Sequence, residues 1–177
     1  LADELGVHSY DKRILTLASQ YSGYPEHFFR EADETLNGSV ITKQLQALPK
    51  HHAPTGELSK FTSDDRLFDY QKIIIEKLAA SESCVIVGKC ADYILKDYDN
   101  VVSIYVEAPR SYTLRRVMER MDDITVEEAH HLITKTDKYR ADYYKYYTGG
   151  NYWTNPVNYD LTFNNARLGD ERCVKLT

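Results

Sequence analysis

The chain alternates between short continuous apolar runs and longer stretches in which apolar side chains recur three or four positions apart. A short run predicts a strand covered by helices on both faces, since such a strand carries apolar residues at successive positions. The longer spacing predicts an amphipathic helix, because residues three and four apart share one helix face. The apolar runs predict four strands, which cover residues 7–10, 84–88, 101–106 and 159–163.

Helical spacing fills the intervals between these strands. The firmest helix start is at Thr125 and Glu128, where a T-x-x-E capping box lets each side chain satisfy a backbone N–H of the other residue. Asp11 is the expected cap of an earlier helix, because its short carboxylate can accept backbone N–H groups. The predicted helices cover residues 11–21, 25–33, 36–48, 65–80, 91–95, 110–121, 125–147 and 169–176.

Strands that alternate with helices predict an α/β fold with a doubly wound parallel sheet flanked by helices. We expect one domain over residues 1–177, without repeats and with right-handed crossovers. Residues 49–63 interrupt the pattern with two prolines, a glycine and few large apolar side chains. A loop of this length in a compact domain is functional or disordered, and its composition favours a flexible loop.

Composition narrows the class of partner. The 177 residues carry a net charge of −5, so a broad basic face for nucleic acid is not expected, whereas a small phosphorylated ligand needs only a few converging cations. No run of 18 apolar residues exists that could span a membrane. The three cysteines are odd in number and lack paired metal-ligand spacing, which favours reduced thiols, a cytoplasmic protein and no metal site.

Candidate chemistry follows the predicted strands, because ligands of such sheets bind beyond the carboxyl ends of the strands. Asp11 and Lys12 follow the first strand, and Lys89 and Asp92 follow the second. Gly88 permits a tight turn at that strand end, and Lys89 can offer a cation to a phosphate. A solvent-exposed lysine in a turn is the alternative interpretation of this position.

After the third strand, residues 110–147 predict two cationic helices joined by a short loop. Phosphoryl transfer uses such an arrangement, because charge spreads over the phosphoryl oxygens and fixed cations neutralise it. Arginine suits this task through its rigid fork of donors. A solvated helix paired through Glu119 is the alternative. The cationic side chains of these two helices are Arg110, Arg115, Arg116, Arg120, Lys135, Lys138, Arg140 and Lys145, and Asp137 lies among them.

Five segments resemble, in their order and spacing, the cytidylate kinase-like family of P-loop kinases. The most specific are residues 84–95 and 136–149, which contain C-V-I-V-G-K-C-A-D-Y-I-L and T-D-K-Y-R-A-D-Y-Y-K-Y-Y-T-G. Weaker support comes from residues 1–12, 115–120 and 159–165. The resemblance extends over nearly the whole chain, apart from the predicted flexible loop.

The resemblance implies the fold of nucleoside monophosphate kinases, with residues 110–147 as a helical lid and the 49–63 loop in the acceptor-binding region. It implies an ATP-dependent kinase that uses Mg²⁺ and phosphorylates a nucleoside monophosphate, with CMP as the leading acceptor. The implied catalytic residues are Arg115, Arg116, Arg120 and Arg140. The implied substrate-binding residues are Asp11, Lys12, Lys89, Asp92, Asp137 and Lys138.

Two departures from the family pattern leave alternatives open. The position of Lys89 more often holds Arg in the family, and Lys lacks the bidentate fork. The phosphate loop G-x-x-x-x-G-K-[ST] is absent from the sequence, and we expect it, with the first strand, in roughly 20 to 30 residues upstream. The alternatives are a non-catalytic nucleotide-binding or regulatory domain and a kinase of another hydroxylated metabolite. A homodimer is also left open.

Overall fold

The structure, a computed structural model, describes residues 1–34 and 63–177. The helix predicted over residues 36–48 and the predicted loop up to residue 62 lie outside the described residues. Ser63, which we assigned to that loop, instead begins a helix. The described residues form two compact units, one over 2–97 and one over 98–177 together with Leu1. The expectation of a single domain stays a prediction.

The first unit contains two strands and five described helices. Strands β1 and β2 pair in parallel, with His8 opposite Cys84 and Tyr10 opposite Ile86. In chain order the elements are α1 (Ala2–Leu5), β1 (His8–Tyr10), α2 (Arg13–Ser22), α3 (Glu26–Glu34), α4 (Ser63–Ser81), β2 (Cys84–Ile86) and α5 (Ala91–Ile94).

The core of this unit lies where α2 packs against α3 and α4. Apolar side chains at helical spacing face this core, because burial removes their surface from water; complete burial of Phe29 contributes about 2 kcal/mol. Helix α2 ends at Gly23, whose φ of 76° lies in the left-handed region that glycine adopts without a Cβ clash. The buried side chains of α2 and α4 include Ile14, Leu15, Ala18, Leu67, Ile74 and Ile75.

The second unit contains a parallel pair of strands and four described α-helices. Ile104 lies opposite Leu161, and Glu107 lies opposite Asn164. In chain order the elements are β3 (Ile104–Glu107), α6 (Arg110–Arg120), α7 (Val126–Tyr147), a 3-10 turn (Pro156–Asn158), β4 (Leu161–Asn164), α8 (Asn165–Leu168) and α9 (Asp170–Leu176).

The capping box predicted at the start of α7 is confirmed. The Thr125 hydroxyl accepts the backbone N–H of Glu128 at 3.2 Å, and the Glu128 carboxylate accepts the backbone N–H of Thr125 at 2.9 Å. The reciprocal bonds satisfy donors that have no partner inside the helix. They fix the point at which the chain turns from the loop after α6 into α7.

Two local predictions were wrong. Asp11 does not cap α2; the residue at the cap is Lys12, and a carboxylate oxygen of Asp11 accepts the backbone N–H of Lys12. The strands are not buried on both faces, because the side chains of Val87 and Val106 are each 54% exposed. The described strands form two separate two-stranded parallel sheets, so each has one hydrogen-bonded neighbour. The α/β class with parallel strands is confirmed.

Candidate functional site

In the first unit, the chain segments after β1 and β2 leave the sheet at the same edge. The strands run in parallel, and the N–H of Val87 donates to the carbonyl of Tyr10 at 2.8 Å, which extends their pairing to the strand ends. Asp11 and Lys12 follow β1 and are exposed. Lys89 lies three residues after the end of β2 and is half-buried. This edge therefore brings together the predicted acceptor-binding side chains of the two strands.

The turn after β2 has an unusual backbone. Gly88, Lys89 and Cys90 have φ values of 72°, 59° and 55°, all in the left-handed region. A hydrogen bond of 3.1 Å from the N–H of Ala91 to the carbonyl of Gly88 closes the turn. Glycine adopts this backbone freely, whereas a residue with a Cβ pays about 1–2 kcal/mol. Strained residues of this kind concentrate at functional sites, so the turn strengthens the case for Lys89 as a ligand-binding residue.

Asp92, the remaining candidate of this unit, is the second residue of the short helix α5 and is half-buried. Cys90 directly before the helix and Leu95 directly after it are both buried. These two residues anchor the turn and the short helix in the core. The turn consequently carries Lys89 on a fixed base at the strand end.

A hydrogen-bonded cluster that the sequence did not predict joins β1 to the end of α4. The Tyr10 hydroxyl donates to one carboxylate oxygen of Glu82 at 2.7 Å, and Nδ1 of His8 lies 2.7 Å from the other. The hydrogen bonds from His8 and Tyr10 lower the pKa of Glu82. The bond to Glu82, together with burial, raises the pKa of Tyr10. The cluster ties the first strand to the segment that leads into the second.

In the second unit, Arg110 holds the two cationic helices together. It is the first residue of α6 and follows β3 after two intervening residues. One guanidinium nitrogen donates to the carbonyl of His130 at 2.6 Å and to the hydroxyl of Thr134 at 2.7 Å. Another lies 3.7 Å from the carboxylate of Asp137. The predicted substrate-binding residue Asp137 is therefore an ion-pair partner within the hairpin.

The other arginines of α6 differ in their surroundings. Arg115 lies 3.8 Å from Glu119 and over the ring of Tyr112, at 5.2 Å from its centre. Arg116 lies 3.5 Å from Glu119 and 3.3 Å from Asp170 at the start of α9. Arg120, the last residue of α6, is exposed. The pairing through Glu119, which we considered as the alternative for this helix, is thus present in this structure.

Helix α7 supplies the last candidates. Lys138 is exposed, and the guanidinium carbon of Arg140 lies 6.0 Å from the centre of the Trp153 ring. The Trp153 ring also contacts the ring of Tyr105 in β3, at 5.6 Å between centres, so Arg140 lies near that strand. Burial and the carboxylates of Glu107 and Asp137 raise the pKa of Tyr105.

The predicted residues fall into two groups, one in each unit. The first consists of Asp11, Lys12, Lys89 and Asp92. The second comprises Arg115, Arg116 and Arg120 of α6 with Asp137, Lys138 and Arg140 of α7. Sequence reasoning missed Arg110 as a clamp and Trp153 as the ring beside Arg140. The position of Arg110 directly after a strand, and the presence of a single tryptophan in the chain, were the available signals.

The described residues contain neither a cluster of metal ligands nor a helix that could span a membrane. Among the described side chains, those of residues 1–30 and 65–177, no group of three or more His, Cys, Asp or Glu is arranged to hold a metal ion. In the same part of the chain, every helix is too short or too polar to cross a membrane.

Comparison with known proteins agrees with this architecture. The crystal structure of an uncharacterized protein from Eubacterium ventriosum is similar with a TM-score of 0.60 and 23% sequence identity, over 92% of this chain and 76% of that chain. This likeness shows a shared fold. None of the curated proteins compared with the chain matches it. The sequence pattern of the cytidylate kinase-like family matches residues 1–167, and the chain therefore belongs to that family.

Proposed function

We propose that this protein is an ATP-dependent phosphotransferase that transfers the γ-phosphate of ATP to a nucleoside monophosphate, with CMP as the leading acceptor. Family membership favours a kinase-type role. The observation that carries the proposal is the hairpin of α6 and α7. It starts at the carboxyl end of β3, and Arg110 fixes its base through contacts with α7.

The position of this hairpin matters because ligands of parallel sheets bind beyond the carboxyl ends of the strands. Arg116 and Arg140 extend the cationic surface along the two helices. Phosphoryl transfer needs fixed positive charge around the transferred group, since negative charge is spread over its oxygens in the transition state. A hairpin that is fixed at its base can hold such charges in place before the substrate arrives, which lowers the cost of reorganisation.

On the acceptor side, the proposal assigns phosphate binding to Lys89. Its backbone is held in the left-handed region by the turn after β2, and its side chain is half-buried. A lysine ammonium binds phosphate as a point charge, whereas arginine would bind two oxygens at once. We therefore expect the acceptor phosphate to be bound with less geometric selectivity than in relatives that have arginine at this position.

ATP supplies the transferred group, and Mg²⁺ enters the proposal as its companion, since this ion usually binds to substrate phosphates rather than to a dedicated cage of protein ligands. The residues of this chain bind and orient. Lys89 holds the acceptor phosphate, while Arg116 and Arg140 neutralise phosphoryl oxygens. For Arg116 this role requires exchange of its carboxylate partners, Glu119 and Asp170, for phosphate.

The test is ADP release by the full-length protein with ATP, Mg²⁺ and a panel of nucleoside monophosphates. Acceptor-dependent ADP release with CMP or another monophosphate would support the proposal and identify the acceptor. A folded protein that binds ATP without turnover on the panel would contradict it and favour a kinase of another hydroxylated metabolite, which a panel of such metabolites would then identify.

A second candidate function is a non-catalytic nucleotide-binding or regulatory domain. The specific observation in its favour is the state of Arg116, whose guanidinium is engaged by two carboxylates. Calorimetry separates the two functions. ATP binding without ADP release on any acceptor would favour the regulatory domain, whereas turnover would exclude it.

A further inference from the structure

The only tryptophan of the chain lies beside one of the proposed catalytic arginines. Trp153 follows the end of α7, and the guanidinium carbon of Arg140 lies 6.0 Å from the centre of its ring. A guanidinium at this distance over an indole is attracted by the negative charge on the ring face. The ring of Trp153 is half-buried, whereas Arg140 is exposed.

Contacts with Tyr105 and Tyr159 hold the ring and the backbone of Trp153, respectively. The ring of Tyr105, in β3, meets it edge to face, with centres 5.6 Å apart and planes at 88°. The Tyr159 hydroxyl donates to the backbone carbonyl of Trp153 at 2.6 Å. The rings of Tyr105 and Tyr159 stack on each other at 5.1 Å, with planes at 20°. These three aromatic residues, Tyr105, Trp153 and Tyr159, form what we call the aromatic shelf.

Arg140 contacts an aromatic ring of the shelf, whereas Arg116 forms ion pairs with carboxylates. Arg116 is paired with Glu119 and Asp170, which offset its charge. Among the side chains of residues 1–30 and 65–177, no carboxylate forms an ion pair with Arg140; the nearby Asp137 pairs with Arg110. A ring restricts the guanidinium by contact with its flat face and leaves the N–H donors at its edge for an anion.

A side chain that stabilises negative charge in the transition state must be held in place and must keep its own positive charge available. An exposed arginine has many rotamers, and ordering a long side chain during binding or reaction has an entropic cost. A group that is already ordered avoids this cost at the transition state. Arg140 projects from a helix that is anchored at both ends, by the capping box at Thr125 and by the turn at Gly149. The contact with the Trp153 ring restricts the guanidinium at the end of its side chain.

We propose that Trp153 is a positioning residue that holds the guanidinium of Arg140 for contact with the phosphoryl oxygens of the nucleotide. This inference rests on the proposed function, because it deepens the role of the Arg140 site. Trp153 itself contacts the arginine and not the reacting atoms. The identity of the acceptor does not enter the inference.

The kinetic test compares Trp153→Leu with Trp153→Phe in the full-length protein. A cation–π contact of about 0.5–2 kcal/mol corresponds to a roughly 2- to 30-fold effect. We expect Trp153→Leu to lower kcat roughly 2- to 30-fold with little change in KM. Trp153→Phe should retain most of the wild-type kcat. In an Arg140→Ala background, Trp153→Leu should have no further effect. Equal losses in both backgrounds would overturn the proposal, because they would indicate a purely structural role.

A second readout needs no turnover. Trp153 is the only tryptophan of these 177 residues, so the difference in emission between the protein and its Trp153→Phe variant reports on this site. We expect its emission to change on titration with ATP and with inorganic tripolyphosphate, and Arg140→Ala to abolish both responses while circular dichroism stays unchanged. A response that persists in Arg140→Ala, or its absence in wild type with ATP bound by calorimetry, would overturn the inference. Absence of turnover with an intact, Arg140-dependent response would contradict the kinase proposal alone.

Discussion

The guanidinium of Arg110, the first residue of α6, lies 3.7 Å from the carboxylate of Asp137 in the middle of α7. The same side chain donates two short hydrogen bonds to α7, to the carbonyl of His130 and the hydroxyl of Thr134. The resemblance to the cytidylate kinase-like family implied that Asp137 would bind substrate. In the structure it helps to fix the base of the cationic hairpin.

Arg110→Met should therefore destabilise the protein. Hydrogen bonds from a charged donor contribute about 1.5–3 kcal/mol when buried, and half-exposure of this site reduces the expected loss to about 1 kcal/mol. Urea unfolding would measure it. Arg120→Met is the matched control at the exposed end of the same helix and should change the unfolding free energy by less than about 0.5 kcal/mol. Equal losses in both variants would contradict the clamp.

The cluster of His8, Tyr10 and Glu82 predicts a pH-dependent stability. The hydrogen bonds lower the pKa of Glu82 below its usual 4.5, so their contribution is present above that value and is lost as the pH falls through the folded-state pKa. The pKa of Tyr10 is raised above 10.0, so its contribution is present below that value and is lost as the pH rises through the folded-state pKa.

Tyr10→Phe should accordingly lower the unfolding free energy most between these two limits and least at either extreme. The measurement is urea unfolding of wild type and variant from about pH 3 to about pH 12, since the alkaline loss lies above pH 10.0. Tyr98→Phe, at a partly exposed position outside the cluster, is the control and should show no such profile. A Tyr10→Phe difference that does not vary with pH would mean that the bond to Glu82 is not the cause.

Lys89 offers a way to separate stability from function. Its φ of 59° favours glycine, so Lys89→Gly should relieve strain and raise the unfolding free energy by about 0.5–1 kcal/mol after the entropic cost of glycine. If Lys89 binds the acceptor phosphate, the same variant should raise the acceptor KM at least about tenfold, the effect of losing one charge-assisted hydrogen bond. Lys89→Arg keeps the charge and should keep the KM. An unchanged KM in Lys89→Gly would remove this residue from the site.

Arg116 and Arg140 should affect the reaction far more than the fold. Loss of one charge-stabilising group typically lowers kcat by about 10² to 10³, so Arg116→Ala and Arg140→Ala should each fall in that range. Loss of surface ion pairs of Arg116 should lower the unfolding free energy by less than about 1 kcal/mol. Arg172→Ala, at an exposed position of α9, is the control. Unchanged turnover in both test variants would end the assignment of the hairpin as a phosphate-binding lid.

Local signals in the sequence predicted much of the secondary structure. The capping box at Thr125 and the stop after Tyr147 depend on residues within four positions of each other, and both are as expected. Family membership also followed from short segments, above all residues 84–95 and 136–149. The wrong cap at Asp11 was a one-residue error, since a carboxylate can accept the adjacent N–H as readily as one in the helix.

The sequence by itself determined most of the described helices and strands, though not the short helices α1 and α8, and it showed that cations follow the strand ends. It did so because propensity, capping and charge act over a few neighbouring residues. Only the tertiary structure decided the partners of those cations. Arg116 meets Asp170 across 54 positions, and Tyr10 meets Glu82 across 72. Such pairs depend on how helices pack on strands, and a single sequence carries no distance information at that separation. For the same reason, the ring of Trp153 beside Arg140 could not be predicted from the pattern of residues.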